Sequence, residues 1–275
     1  MISVVVLAQD EAVNIERCLA SVAWSDDVLV VDSGSTDGTQ QLAARAGARV
    51  MHREWDHFAG QRNHALEHGG LRHRWVLHLD ADEVVTPELR DEMMAIARAN
   101  DGLPGYRVAS RLMFRDGWLK HSGMYPTYQV RFGTREGLRF QMVGHGQRET
   151  LPPEQVGTLR GDLVHYNFSK GVDDWLARHA RYARAEAEEA LREGARRRWS
   201  ELFTIRDAVE RRRAMKALAQ RLPMRPAARF IYVYFIRRGF LDGRAGLRYA
   251  MLLASYQRAI DRNIAELRSG ERKAS

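Results

Sequence analysis

Over the first hundred residues, short apolar runs alternate with segments whose apolar positions recur at helical spacing. The runs Ile2–Leu7, Val28–Asp32, Ala48–His52 and Trp75–Leu79 read as strands, and the near-continuous apolar character of the first predicts burial on both faces. Between them, Ile15, Cys18, Leu19 and Val22 mark one helix face, and Leu42, Ala43 and Ala46 mark another ahead of Gly47, a fitting helix stop. Thr86-Pro87-Glu88 opens a further helix that runs to about Ala99 and ends at Asn-Asp-Gly. Strand and helix in this alternation predict an α/β domain, a Rossmann-type, mainly parallel sheet with helices on both faces. From Gly105 to about Phe168 the texture changes to short strand-like pieces rich in glycine and aromatics, as in binding loops. From Val172 the pattern is helical almost to the end, broken at Pro223 and Pro226. The chain therefore divides into a body of residues 1–170 and a C-terminal helical region of 171–275.

Composition narrows the class. With 45% apolar and 28% charged residues the chain matches a folded globular protein. Its single cysteine, Cys18, excludes an intrachain disulfide, no Cys/His cluster suggests zinc, and a reducing compartment fits. The N-terminus lacks a basic leader and reads as the first strand, and no apolar run is long enough to span a bilayer. Of the net charge of +8, more than the whole lies between Arg196 and Arg248, where fifteen basic residues face four acidic ones. A mildly acidic body thus carries a basic arm, and Arg225 to Arg238 combines arginine with tyrosine and phenylalanine as an interfacial helix would.

The chemistry concentrates at strand ends. Open α/β sheets bind ligands beyond the carboxyl ends of their strands, and there the chain places His78-Leu79-Asp80-Ala81-Asp82-Glu83. Two carboxylates two residues apart, Asp80 and Asp82, can share a hard cation such as Mg²⁺ or Mn²⁺ that bridges to phosphate; the competing reading is a solvated acidic turn. Asp32 ends the second strand in Asp32-Ser33-Gly34-Ser35-Thr36-Asp37-Gly38, where a carboxylate can meet a base or ribose hydroxyl and small residues allow a close approach. The first strand closes with Asp10 and Glu11, for which Asp10 reads as a helix N-cap. Gln61-Arg62-Asn63 adds an arginine suited to phosphate.

This succession, Val4 to Leu7 with Glu11 and Asn14-Ile15, then Val30 to Thr39, Gln61-Arg62-Asn63 and Leu79 to Glu83, resembles family 2 glycosyltransferases of GT-A fold. Within that family, His121 to Pro126, His165-Tyr166 and Arg237 to Gly243 are similar to the bacterial lipopolysaccharide-core β-1,4-glucosyltransferase group. The resemblance implies a nucleotide-sugar-binding half, 1–100, and an acceptor-side half, 101–170. It implies that Glu11 and Asp32 hold the uridine of the donor and that Asp82, with Asp80, handles metal and diphosphate. Where related sequences carry Val-His-Glu, this chain reads Val143-Gly144-His145-Gly146-Gln147-Arg148-Glu149. An inverting reaction needs a base for the acceptor hydroxyl, and Glu149 is the first candidate, His145 the second and Asp162 the third.

The expectation is a metal-dependent inverting hexosyltransferase, using Mg²⁺ or Mn²⁺. It takes glucose from a UDP-linked donor to a lipid-linked, lipopolysaccharide-core or other envelope saccharide. It would work in the cytoplasm, peripheral on the anionic inner membrane face, without nucleic acid. The alternatives are a nucleotidyltransferase, which usually adds a glycine-rich N-terminal loop that residues 8–15 lack, and a non-catalytic basic nucleic-acid or membrane-binding module.

Overall fold

The structure, a computed structural model of the 275-residue chain, describes residues 1–115, 117–143, 146–194 and 224–274. It separates into two compact units, Met1–Lys170 and Gly171–Ser275.

The first unit is built on one sheet. Strands β1 (Ile2–Ala8), β2 (Val28–Asp32), β3 (Arg49–His52) and β4 (Trp75–Asp80) are connected by α1 (Ile15–Ser21), α2 (Thr39–Arg45) and α3 (Phe58–His68). After β5 (Glu83–Val85) and α4 (Pro87–Ala99) come β6 (Gly105–Phe114), β7 (Gly117–Trp118), β8 (Thr127–Thr134), β9 (Phe140–Val143), β10 (Gly146–Glu149) and β11 (Val156–His165). The sheet order is β3-β2-β1-β4-β8-β6-β11-β5, with β7 on β6 and β9–β10 as a separate ribbon. Following the pairings, only β8 and β5 in this order run against the rest, so the sheet is mixed but mainly parallel.

All seven residues of β1 are buried, and its alternate side chains enter two different cores. Val4 and Val6 join Ile15, Cys18, Ala43, Leu89 and Met93 on the α1, α2 and α4 side, while Val5 and Leu7 join Ala59, Ala65 and Leu66 of α3 on the other. Two cores from one strand require the unbroken apolar run seen in the sequence. Helix α4 starts and stops by local chemistry. Thr86 accepts from the Leu89 amide at 3.3 Å, Pro87 occupies the first turn and Asn100 closes the helix in the left-handed region. Its N-terminus lies so close to β11 that a Cβ at Gly161 would sit 2.4 Å from the Leu89 backbone, which explains the glycine where the pairing of β11 with β6 shifts register between Thr158 and Asp162.

The stretch that reads as binding loops, 105–168, is instead largely sheet: β6 and β11 are its longest strands, each of ten residues. Its aromatics serve packing as well, with Phe132 stacked on Trp75 at 5.1 Å and Tyr106 against both. The glycines that suggest loops answer to close packing, as at Gly133, where a Cβ would meet the Pro104 carbonyl at 2.3 Å.

In the second unit, α5 (Gly171–Gly194) packs on the long α7 (Gly243–Ala274) through Ala183, Ala187, Ala190, Ile260 and Ile264. Alanines at helical spacing allow that close approach. Helix α6 (Arg225–Ile231) continues into a π-helical turn, Tyr232–Ile236, and a 3₁₀ turn, Gly239–Asp242, before α7. An ion pair of 2.6 Å joins Arg225 to Asp261. The triple arginine at 211–213 and much of the basic arm lie outside the described residues.

At the opposite sheet edge from the strand carboxyl ends, buried Asp27 accepts from Ser3 Oγ at 2.5 Å and the Arg72 amide at 2.8 Å, and pairs with Arg49 at 2.7 Å. Burial opposes its charge, but these donors win and hold the carboxyl at about 2. An unfolded aspartate titrates near ~3.9, so the contribution to stability is present above about pH 4 and is lost as pH falls through 2. Asp27→Asn is expected to cost roughly 2 kcal/mol at neutral pH and to flatten the acid limb of melting temperature against pH, as thermal melts of the two proteins will read.

Candidate active site

Register brings the acidic strand ends together. Ala8 of β1 lies opposite Asp32 of β2, and Leu7 lies opposite Asp80 of β4, so the segments beginning at Gln9, Ser33 and Ala81 leave the sheet side by side. The first two are laced to each other. Asp10, in the left-handed region, accepts from the Thr36 amide at 2.8 Å, while the Asp10, Glu11 and Ala12 amides donate to Ser35, Thr39 and Asp37. Asp10 thus bridges two loops and does not cap the helix as its position suggests.

Asp32 is buried and organises its own loop. It accepts from the Gly34 and Ser35 amides at 3.0 and 2.9 Å, from the Ser35 hydroxyl and from Gln40 Nε2 at 2.6 Å. Three of the four donors meet Oδ1 and one meets Oδ2, so the carboxylate shapes the turn that follows β2. Gly38, at φ 91°, lets the loop turn into α2.

Asp80 stands between two buried arginines. Arg62 Nη2 from α3 lies 2.5 Å from Oδ1, and Arg131 Nη2 from β8 lies 2.6 Å from Oδ2 and 2.8 Å from Glu83 Oε1. The second Glu83 oxygen accepts from the Asp80 amide at 2.9 Å. Burial would raise the Asp80 carboxyl, yet Arg131 and Arg62 pull it below its ordinary range, while burial raises Glu83 against the pull of Arg131. Burial and the neighbouring Arg131 bring Arg62 down to about 10, so it stays charged at neutral pH. Arg62 is fully buried and its Nε donates to Gln147 at 2.9 Å, so it holds Asp80 in place and does not present itself to phosphate as the sequence suggests. Each Asp80 oxygen accepts from one of the two arginines, and the side chain remains half-buried.

Asp82 faces His165, the last residue of β11, at 3.1 Å from Oδ2 to Nε2, and the Asp82 carbonyl accepts from the Tyr166 amide. Burial disfavours the imidazolium, but Asp82, Glu83 and Asp80 raise it to about 9. Glu11 meets Lys170 at 2.6 Å and Asn14 Nδ2 at 2.6 Å. Burial raises the Glu11 carboxyl, with Lys170 opposing. Among the described residues no group of three or more His, Cys, Asp or Glu is placed to hold a metal ion. A Mg²⁺ or Mn²⁺ ion that arrives on a diphosphate needs only one or two protein carboxylates, and Asp82 supplies one beside His165, so the residues fit such an ion without Asp80 as a direct ligand.

Of the base candidates, Glu149 ends β10, two residues after Gln147 and therefore on the same ribbon face, about 7 Å further along. Gln147 itself touches Arg62, so that face looks onto the Asp80 cluster. His145 lies outside the described residues. Asp162 is buried, paired to Arg111 at 2.6 Å and hydrogen-bonded by Tyr125 at 3.0 Å, a packing role that removes it from the base candidates. Sequence reasoning missed Arg131, Glu83, Lys170 and Gln147, and left His165 out of the site. The apolar strand pattern around Arg131 was a usable signal, since an arginine inside a buried strand demands a buried carboxylate.

Residues 3–148 match the model of Glycosyl transferase family 2. The chain is 26% identical over 272 residues to the lipopolysaccharide core biosynthesis glycosyltransferase LpsC of Rhizobium meliloti (strain 1021), covering 94% of this chain and 92% of that one. An uncharacterized glycosyltransferase of Rickettsia bellii is 36% identical over 118 residues, 42% of this chain and 40% of its own. Among solved structures, glucosyl-3-phosphoglycerate synthase from Mycobacterium tuberculosis with Mn²⁺, uridine-diphosphate and glucosyl-3-phosphoglycerate overlays with a TM-score of 0.47 at 19% identity, covering 68% of this chain and 77% of that one. S. aureus TarS 1–349 overlays with 0.42 at 16%, covering 98% and 91%. The chain belongs to glycosyl transferase family 2 and is a glycosyltransferase, with a homologue in lipopolysaccharide core biosynthesis.

If Arg131 neutralises Asp80 and Glu83 together, Arg131→Met leaves buried Glu83 without its guanidinium and Asp80 facing Arg62 alone. The expected loss is about 3–5 kcal/mol, read by urea unfolding, and Arg131→Lys should recover part of it, because a single nitrogen, Nη2, meets both acids and one ammonium can do the same.

Proposed function

We propose that this protein is an inverting hexosyltransferase that takes a sugar, glucose in the first instance, from a UDP-linked donor to a lipopolysaccharide-core or other lipid-linked envelope saccharide at the inner membrane face. The observation that carries the reading is the register of β1, β2 and β4, which brings Glu11, the Asp32 loop, Asp80 and Asp82 to one edge. The name of LpsC supports the acceptor class and the M. tuberculosis synthase, solved with Mn²⁺ and uridine-diphosphate, illustrates the donor chemistry.

Each residue then has a task. Glu11, at the end of β1, faces the nucleoside, and the loop shaped by Asp32 forms its floor. Asp82 holds a divalent ion, which when bound neutralises the diphosphate as it departs. Asp80, fixed by its two arginines, keeps the turn that carries Asp82 in place. The acceptor oxygen forms its bond to the anomeric carbon as the bond to the diphosphate oxygen breaks with inversion, and Glu149 takes the hydroxyl proton.

Asp82→Asn keeps the shape and removes the charge, and transfer is expected to fall roughly 10²–10³-fold, with the circular dichroism spectrum unchanged and the melting temperature at neutral pH lowered because His165 loses its anionic partner. Glu149→Gln should slow transfer by roughly 10²–10⁴-fold while UDP binding, measured by calorimetry, is unchanged. A donor screen with UDP-, GDP- and dTDP-sugars, with and without Mn²⁺, tests the donor: turnover confined to another nucleotide rejects the UDP assignment.

A further inference from the structure

We infer that the α6–α7 hairpin of the second unit is a bilayer-docking element, dipping the turn around Ile231–Leu241 into an anionic leaflet. The inference rests on the proposed membrane-borne acceptor and names the surface that reaches it. Along the π-helical turn, Ile231, Tyr232, Phe235 and Ile236 fall at the spacing of one helical face, and all four side chains are exposed, Phe235 at 55% and Ile236 at 68%. The adjoining 3₁₀ turn adds exposed Phe240 and Leu241. Phe230 and Tyr234 lie behind them, stacked at 5.4 Å, with Tyr234 also meeting Phe235 and Phe240 edge-on, so the apolar tip is supported by rings and not left as a loose loop. Single exposed apolar residues are ordinary, but a contiguous set at one tip marks an interaction surface.

The charges beside the tip select its occupant. Between residues 225 and 251 the sequence carries six arginines and one acid, Asp242. Arg225 is paired with Asp261, whereas Arg238, Arg244 and Arg248 are exposed and no carboxylate among the described residues pairs with them. On α7, Arg244, Leu247, Arg248 and Met251 follow the i, i+3, i+4, i+7 spacing of a single stripe, with Met251 56% exposed. Arginine and large apolar residues sharing one exposed face suit the headgroup boundary, where the rings enter the acyl region and the guanidinium groups meet lipid phosphate. A second copy of the chain fits poorly, because a two-fold contact at this patch sets arginine against arginine with one acid to relieve them. No described helix is long and apolar enough to cross a membrane, so the contact proposed is a surface one.

The full chain is tested by co-sedimentation with vesicles of phosphatidylglycerol and phosphatidylcholine, and with phosphatidylcholine alone, while transfer to a soluble acceptor fragment is followed in parallel. Binding to the anionic vesicles is expected to weaken about fivefold for each of Arg238→Glu, Arg244→Glu and Arg248→Glu, the equivalent of ~1 kcal/mol apiece. Phe235→Ser with Ile236→Ser should weaken it tenfold or more, with the melting temperature of every variant unchanged because the side chains are exposed. Ile236→Trp supplies a depth probe, whose emission should be quenched by brominated acyl chains. Wild-type protein that ignores anionic vesicles, binding that survives the Phe235 and Ile236 changes, or a dimer in sedimentation that those changes dissolve would each overturn the docking inference. Vesicle binding without transfer would instead sink the proposed donor and acceptor and leave the docking surface standing.

Discussion

The Asp80 carboxylate held between Arg62 and Arg131 is the constraint around which the first unit is arranged. It sits where β4 ends and it draws its partners from α3 on one face of the sheet and from β8 inside it. Two guanidinium groups buried this deeply are tolerable only because buried Glu83 and half-buried Asp80 are paired with them. The same pairing ties the turn at Ala81 and Asp82 to the sheet, so Asp82 is carried by a fixed support. A site whose first contacts are held by a second layer of buried charge can keep its geometry when ligands come and go.

Much of this was legible in the chain. Trp75 to Glu83 announced both a strand and a cluster of acids at its end, and α4 from Pro87 to Ala99 was readable from its cap, its proline and its asparagine stop. These signals are local, and local chemistry reads well from sequence. The role of Arg62 was not legible, because a helix-borne arginine next to glutamine and asparagine looks alike whether it meets phosphate or a buried carboxylate 18 residues away. Asp32 shows the same limit. A carboxylate followed by Ser-Gly-Ser can serve a ligand, its own backbone amides or both, and its four contacts within the loop are visible only in three dimensions. The glycine and aromatic texture of 105–168 suggested loops because close packing inside a mixed sheet leaves the same composition.

The family match and the geometry settle different questions. Matching over residues 3–148 establishes glycosyl transfer as the class of chemistry and sets aside the nucleotidyltransferase and the purely basic binding module. It ends before β11, and so before His165 and Lys170, the two cations that face Asp82 and Glu11.

One further property follows from how the edge is paired. Glu11 has Lys170, Asp82 has His165, and Asp80 with Glu83 has Arg62 with Arg131. Those pairs cancel, but Asp10, Asp32 and Asp37 on the neighbouring loops accept only from neutral amides, hydroxyls and a glutamine, so the edge stays net negative. A polyanionic nucleotide is therefore not drawn in from a distance as it would be by an open basic cleft. Its capture is decided by short-range contacts, and added salt, by screening the repulsion, should speed the encounter and not slow it.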